Sequence, residues 1–211
     1  MRMDRDFEAC TFVVVGLELV RDLRVVRVAG VAALAVQGAG WTPQWRVHAR
    51  VAGAEEVAGP APEGGGVCAD SVGASLSEVE RRLTVTPHVV VARLGSVEAA
   101  TFWERRAFCP RLASLMLWDA MRLAQIACPS VAEVSEKTLA SALGVGLLGA
   151  GSVLTQRVWA TSEICRRALA RGVAAGRWST LRQVEDLVGR RPRPVEQHLL
   201  PTGPVQESLF D

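Results

Sequence analysis

Three stretches of the chain carry side chains whose types and spacing could do chemistry, and all three suit contact with a partner. Residues 180–199 read TLRQVEDLVGRRPRPVEQHL, with Arg177 just upstream. Guanidinium groups such as Arg177, Arg182, Arg190 and Arg191 are charged, forked donors that suit phosphates. Arg193 and Gln197 have the donor and acceptor patterns that read base edges. Residues 139–154 read LASALGVGLLGAGSVL, where Gly144 and Gly146 flank Val145. Two glycines so placed let backbone amides approach an anion closely. The chain ends Gln206-Glu207-Ser208-Leu209-Phe210-Asp211. There Gln206 supplies an amide, and Leu209 and Phe210 supply small apolar anchors for a groove.

The elements that must position these residues follow from the apolar pattern. Leu181, Val184, Leu187 and Val188 form one helical face, which Ser179 or Thr180 can cap. Gly189 stands where that helix must end, in a position expected to need positive φ. Val195 and Leu199, four apart, can pack a second helix against the first. Residues 111–126, with Leu112, Leu115, Leu117, Met121 and Leu123, predict a core helix that starts at Pro110. Ser130 to Glu133 and Ser135 to Thr138 are two further helix starts, the first with capping-box spacing. The first half is different. Residues 11–20, 23–29 and 45–51 read as strands, the last by strict alternation. Residues 83–94 make another strand, assigned to a sheet edge because Pro87 interrupts it. A Gly/Pro-rich loop at 52–77 is expected to be exposed. Trp103, Trp118 and Trp159 fall in apolar stretches and are expected in the core. Trp178, beside Arg177, is a candidate for base stacking.

Residues 180–199 resemble the bacterial helix-turn-helix pattern of DNA-binding proteins, without gaps. Under that resemblance Arg193, Glu196 and Gln197 would face base edges, while Arg190 and Arg191 would meet phosphates. The pattern's small residue at the helix–helix contact is Glu185 here, and Arg191 replaces its hydroxyl cap. Residues 139–154 resemble the helix-hairpin-helix, whose two glycines here are Gly144 and Gly146, with Ala150 four residues on. The same residues also admit a longer-turned helix-turn-helix presenting Thr155, Gln156 and Arg157, or a loop with no ligand. The last residues resemble the bacterial sliding-clamp-binding motif. That implies Gln206, Leu209 and Phe210 in the clamp's groove, with Pro201 to Pro204 as a stiff spacer. The alternative is that Leu209 and Phe210 strap onto their own domain.

The formal charge is only +2, with 49% apolar and 22% charged residues, which excludes a disordered chain. All basic residues but Lys137 are arginines, a usage matching GC-rich coding. Residues 152–200 hold nine arginines against four carboxylates, a net +5 that leaves −3 elsewhere and suits a polyanion partner. A solvated helical surface is the plainer alternative. Phosphate-loop, zincin, nucleophile-elbow and dinucleotide patterns are missing. The carboxylates Asp4, Asp6, Glu8, Glu18 and Asp22 are expected to be solvated. No apolar run reaches the roughly 20 residues of a membrane span, and no signal peptide is evident. Cys10, Cys68, Cys109, Cys128 and Cys165 lack metal spacing and are expected as buried reduced thiols in the cytoplasm.

The sequence thus predicts an α+β protein with a mainly β part (1–95), a helical part (96–200) with a helix-turn-helix or winged-helix-like region, and a tail (201–211). Its expected function is non-enzymatic binding of double-stranded DNA in replication, repair or transcription control, with no cofactor and with the sliding clamp as second partner. The alternative is a protein-interaction or structural subunit without DNA binding.

Overall fold

A computed structural model describes residues 5–22, 25–38, 40–51, 67–69, 71–83, 88–132, 135–146 and 153–193. Helix α1 (Arg5–Ala9) leads into three long strands, β1 (Thr11–Asp22), β2 (Val25–Gln37) and β3 (Thr42–Val51). They are rich in Val and Ala, which suit a pleated, covered surface. Next come β4 (Val67–Ala69), α2 (Val72–Arg81), β5 (His88–Ala92), α3 (Ser96–Glu104), α4 (Pro110–Ser114) and β6 (Leu117–Asp119). Helices α5 (Ala120–Ala127), α6 (Glu136–Ala142), α7 (Val153–Ala174) and α8 (Leu181–Val188) follow, before the short strand β7 (Gly189–Arg190).

All seven strands join one mixed sheet in the order β4-β3-β2-β1-β5-β6-β7. The hairpins β1–β2 and β2–β3 are antiparallel, while β5 runs parallel to both β1 and β6. The chain therefore leaves β1 on one side and returns on the other. Period-two alternation sorts the strand side chains between two cores. Phe12, Val14, Ala32 and Val91 pack with α5 and α7, whereas Val13, Val15, Ala33 and Val90 pack with α2, α3 and α4.

Helix α7 crosses the first of these faces. Leu154, Val158, Thr161, Cys165, Ala168 and Gly172 recur at intervals of three and four, and all are buried. Its middle is pinned by Trp41, whose Nε1 donates to Ser162 Oγ at 2.7 Å. Trp41 in turn packs on Phe12, with ring centroids 4.8 Å apart. Trp178 lies against Gly172 and donates from Nε1 to the Leu169 carbonyl at 3.1 Å.

Mixed α/β structure is observed, but not the finer arrangement expected. Helix α2 lies in the first half, and β6 and β7 lie in the second. The 52–77 stretch contains β4 and the start of α2, which Ser71 caps. Strand β5 is central and wholly buried, and it begins at His88, so Pro87 is not one of its residues. The expected helix over 111–126 is broken into α4, β6 and α5. Its run Leu117-Trp118-Asp119 is buried as strand, which periodicity alone does not distinguish from helix. Of the two helix starts, Ser135 with Thr138 makes the capping box. Trp118 is buried as expected, but Trp103 is only half-buried and Trp159 is 45% exposed. Trp178 is a core residue and no stacking platform.

The helix-turn-helix is not formed. Helix α8 does start at a Thr180 cap, but Gly189 has φ −71° and opens β7, which pairs antiparallel with β6. The glycine is required there because a Cβ would collide with the Glu185 carbonyl. Arg190 therefore lies in a strand, and Arg191 and Arg193 follow it, so none is on a recognition helix. Gln197 and the tail residues Gln206, Leu209 and Phe210 lie outside the described residues.

At Gly172 a Cβ would overlap the Trp178 ring. Gly172→Ala is expected to destabilise the chain by about 1–3 kcal/mol, the cost of overpacking a filled core. Urea unfolding followed by Trp fluorescence measures it.

Candidate functional site

The sheet reverses direction of travel between β1 and β5, and a cleft lies where their parallel pairing ends, just past Val15 and Ala92. Crevices at such switch points are where open α/β sheets take ligands. Val15, Gly16, Leu17 and Leu19 of β1 form one wall, Arg93 to Glu98 the second, and Leu154, Arg157, Val158 and Thr161 of α7 the third. Its volume is about 80 Å³.

The second wall is built by a tight turn. Gly95 adopts φ +75°, a conformation that disfavours other residues, and Ala99 N donates to its carbonyl at 3.1 Å to start α3. Glu98 is thereby carried into the cleft from the first turn of α3. It is 7% exposed, and its Oε2 makes no hydrogen bond. Burial pushes its carboxyl above the ordinary value, and the nearby Asp119 acts the same way, whereas backbone amides and Arg93 oppose the shift. Arg93 stands beside it, and its Nη1 is held by Glu136 Oε2 at 3.2 Å. Asp119 caps α5 by accepting from Arg122 N at 2.9 Å, and burial raises its carboxyl also.

The first wall lacks a functional side chain where it enters the cleft. A Cβ on Gly16 would lie 2.7 Å from Val158 Cγ2, so α7 occupies the space that a side chain at 16 would need. Glu18, on the same face two residues on, pairs across the hairpin with Gly30, next to a register shift after Glu18. Its carboxylate lies over that glycine, with Leu154 alongside, and it does not line the cleft. Arg157 is exposed and forms no salt bridge with a described residue. The cleft's rim is apolar, with Leu19, Leu94 and Val97 each about two-fifths exposed.

Of the residues selected from sequence, only Arg157, from the longer-turned alternative at 139–154, lines the cleft. Arg177, Arg182, Arg190, Arg191 and Arg193 are exposed elsewhere. Gly144, with φ +69°, ends α6 in a Schellman turn: its amide donates to Ser141 O at 2.9 Å and Val145 N to Ala140 O at 2.8 Å. That amide is committed to the helix end. Gly146 follows with open space beside it. Arg93 and Glu98 were missed. The available signal was a charged pair flanking a glycine immediately after an all-apolar strand, in VVVARLGSVE.

Solved structures have the same architecture. The nuclease domain of 3′hExo, a DEDDh family member, bound to rAMP is similar with a TM-score of 0.54 at 10% identity, over 80% of this chain and 95% of that one. E. coli exonuclease I in complex with a dT13 oligonucleotide gives 0.53 at 13% identity, over 80% and 43%. A 3′-exonuclease recognising the histone mRNA stem-loop gives 0.51 at 10% identity, over 77% and 64%. The fold is that of exonuclease domains. No family model and no curated protein matches the sequence. The chain spans less than two-thirds of two of these three structures. The expected helix-turn-helix identity is thus corrected, and with it the expectation of a non-enzymatic duplex-DNA regulator and of its structural-subunit alternative: the fold is one that solved nucleases share. Sliding-clamp docking finds no support in these similarities.

Nucleases commonly cleave phosphodiesters with two divalent cations about 4 Å apart, each needing several oxygen ligands. The cleft's donor set does not fit such a pair. Position 16 offers no ligand, Glu98 is the one carboxylate among the lining residues, and two guanidinium groups share the space. Among the described residues, no three His, Cys, Asp or Glu side chains are grouped to hold a metal ion.

Because folding raises the Glu98 carboxyl above its ordinary 4.5, ionising it costs stability. The protein is least affected below that ordinary value, and stability falls as pH rises through the folded one. Glu98→Gln is therefore expected to raise Tm by about 2–4 °C near pH 7, a gain of roughly 1 kcal/mol. The gain should vanish below about pH 4, as thermal unfolding across pH will record.

Proposed function

We propose that this chain is a nuclease-fold protein that binds single-stranded nucleic acid, taking a strand end into the cleft between β1, α3 and α7. The observation that carries this is the cleft itself: a buried Glu98 oxygen without a hydrogen bond, in a cleft also lined by Arg93 and Arg157, at the switch point of a sheet shared with solved exonucleases. Each part has a role in the reading. Arg93 and Arg157 attract a phosphate and orient it by charge-assisted hydrogen bonds. Leu19, Leu94 and Val97 offer apolar surface to the terminal base, in the way apolar side chains wedge against base steps elsewhere. A cleft of about 80 Å³ would favour a single strand over a paired blunt end. The solved exonucleases bound to rAMP and to dT13 support a nucleotide-sized, single-stranded occupant.

Fluorescence anisotropy of a labelled oligothymidylate tests it. Binding should weaken with salt at a slope near −0.7 per neutralised phosphate, as for single strands. A blunt duplex of the same length should compete at least about tenfold less well, a difference of roughly 1.4 kcal/mol. Leu94→Glu, on the rim, should weaken binding by a similar factor. Equal affinity for the blunt duplex, or none for the single strand, would overturn the assignment.

A further inference from the structure

If strand ends do enter this cleft, the residues present there assign the phosphate a different holder from a cation pair. We propose that Arg93 and Arg157 receive the strand's terminal phosphate directly, so that the cleft engages nucleic acid without a divalent metal. Three observations converge on this. Gly16 provides no ligand, and α7 fills the space beside it, with Val158 Cγ2 at 2.7 Å from where a Cβ would stand. Glu18 of β1 lies over Gly30 and does not line the cleft. The third wall carries a cation, Arg157, which no described carboxylate neutralises.

The geometry suits an anion. Arg93 is fixed by Glu136 from outside the cleft, leaving other guanidinium donors for a ligand, while Arg157 is exposed and pairs with no carboxylate among the described residues. A second, open depression of about 280 Å³ borders Arg157 on its other side, lined by Glu136, Lys137, Val153, Gln156 and Ala160. Arg157 thus stands between two hollows. A strand whose end lies in the first can continue over the second, with the next phosphate near Lys137. Two guanidinium groups would also repel a divalent cation placed between them, so metal and phosphate compete for opposite fields in one small space. Glu136 acts here as a positioning residue for Arg93.

The full chain and labelled oligothymidylate decide the matter, with excess magnesium or manganese in one arm and excess chelator in the other. Affinity is expected to agree within about twofold between arms, once ionic strength is matched. Arg157→Ala should weaken binding about tenfold and lower the salt slope by about 0.7, one phosphate's worth, with no change in Tm. Glu136→Gln should give a smaller loss that Glu136→Asp restores. Thermal unfolding supplies a readout independent of binding: neither metal should raise Tm in a saturable way. A manganese-dependent rise in Tm that Glu98→Gln removes, or magnesium-dependent shortening of the labelled strand, would overturn the inference and leave the strand-end reading intact. Absence of binding in both arms would overturn that reading instead.

Discussion

The closeness of α7 to the sheet is the constraint on which the rest of the molecule depends. Gly16, Gly30 and Ala32 line one face of the β1–β2 hairpin, and Leu154 and Val158 of α7 rest where larger side chains would project. Interiors are close-packed, so an approach of this kind is set by atoms that are missing as much as by those present. The same seat narrows the cleft, carries Arg157 to its mouth and leaves Glu18 lying over Gly30. One packing decision therefore shapes both the stability of the first core and the chemistry of the site.

A second theme is where the arginines go. The net charge of residues 152–200 invites a picture of a positively charged nucleic-acid face, yet much of it has local work. Arg166 pairs with Glu163 at 2.8 Å. Arg167 donates to the carbonyls of Leu143 and Gly144, and Arg171 donates to that of Ala142. These cations close the carboxyl end of α6, where unpaired carbonyls and the helix dipole favour positive charge. Charge counts along a sequence do not separate such uses from a binding surface.

What could be read from the sequence follows the same division between local and non-local physics. Strands β1, β2 and β3 were legible because β-branched runs and alternation are local signals. So were the Thr180 cap of α8 and the Pro110 start of α4. Strand β5 was placed at the wrong position in the sheet because Pro87 looked internal, when it precedes the strand. Gly189 was read as a turn residue, although its lack of a side chain serves close approach to Glu185. The cleft was the least legible part. Gly16, Arg93, Glu98 and Arg157 are separated by up to 141 positions, and only the parallel pairing of β1 with β5 and the crossing of α7 unite them. Periodicity reports which residues share a face, not which faces meet.

The buried cysteines have a consequence of another kind. Cys10, Cys109 and Cys165 are sealed in apolar surroundings, and burial pushes the first two thiols up to about 12 and the third higher still. Near neutral pH almost none of their sulfur is thiolate, the form that attacks peroxides and disulfides. These three positions are consequently silent to oxidants while the chain is folded. Redox chemistry would register there only after unfolding, which makes sulfur reactivity a clock for global opening.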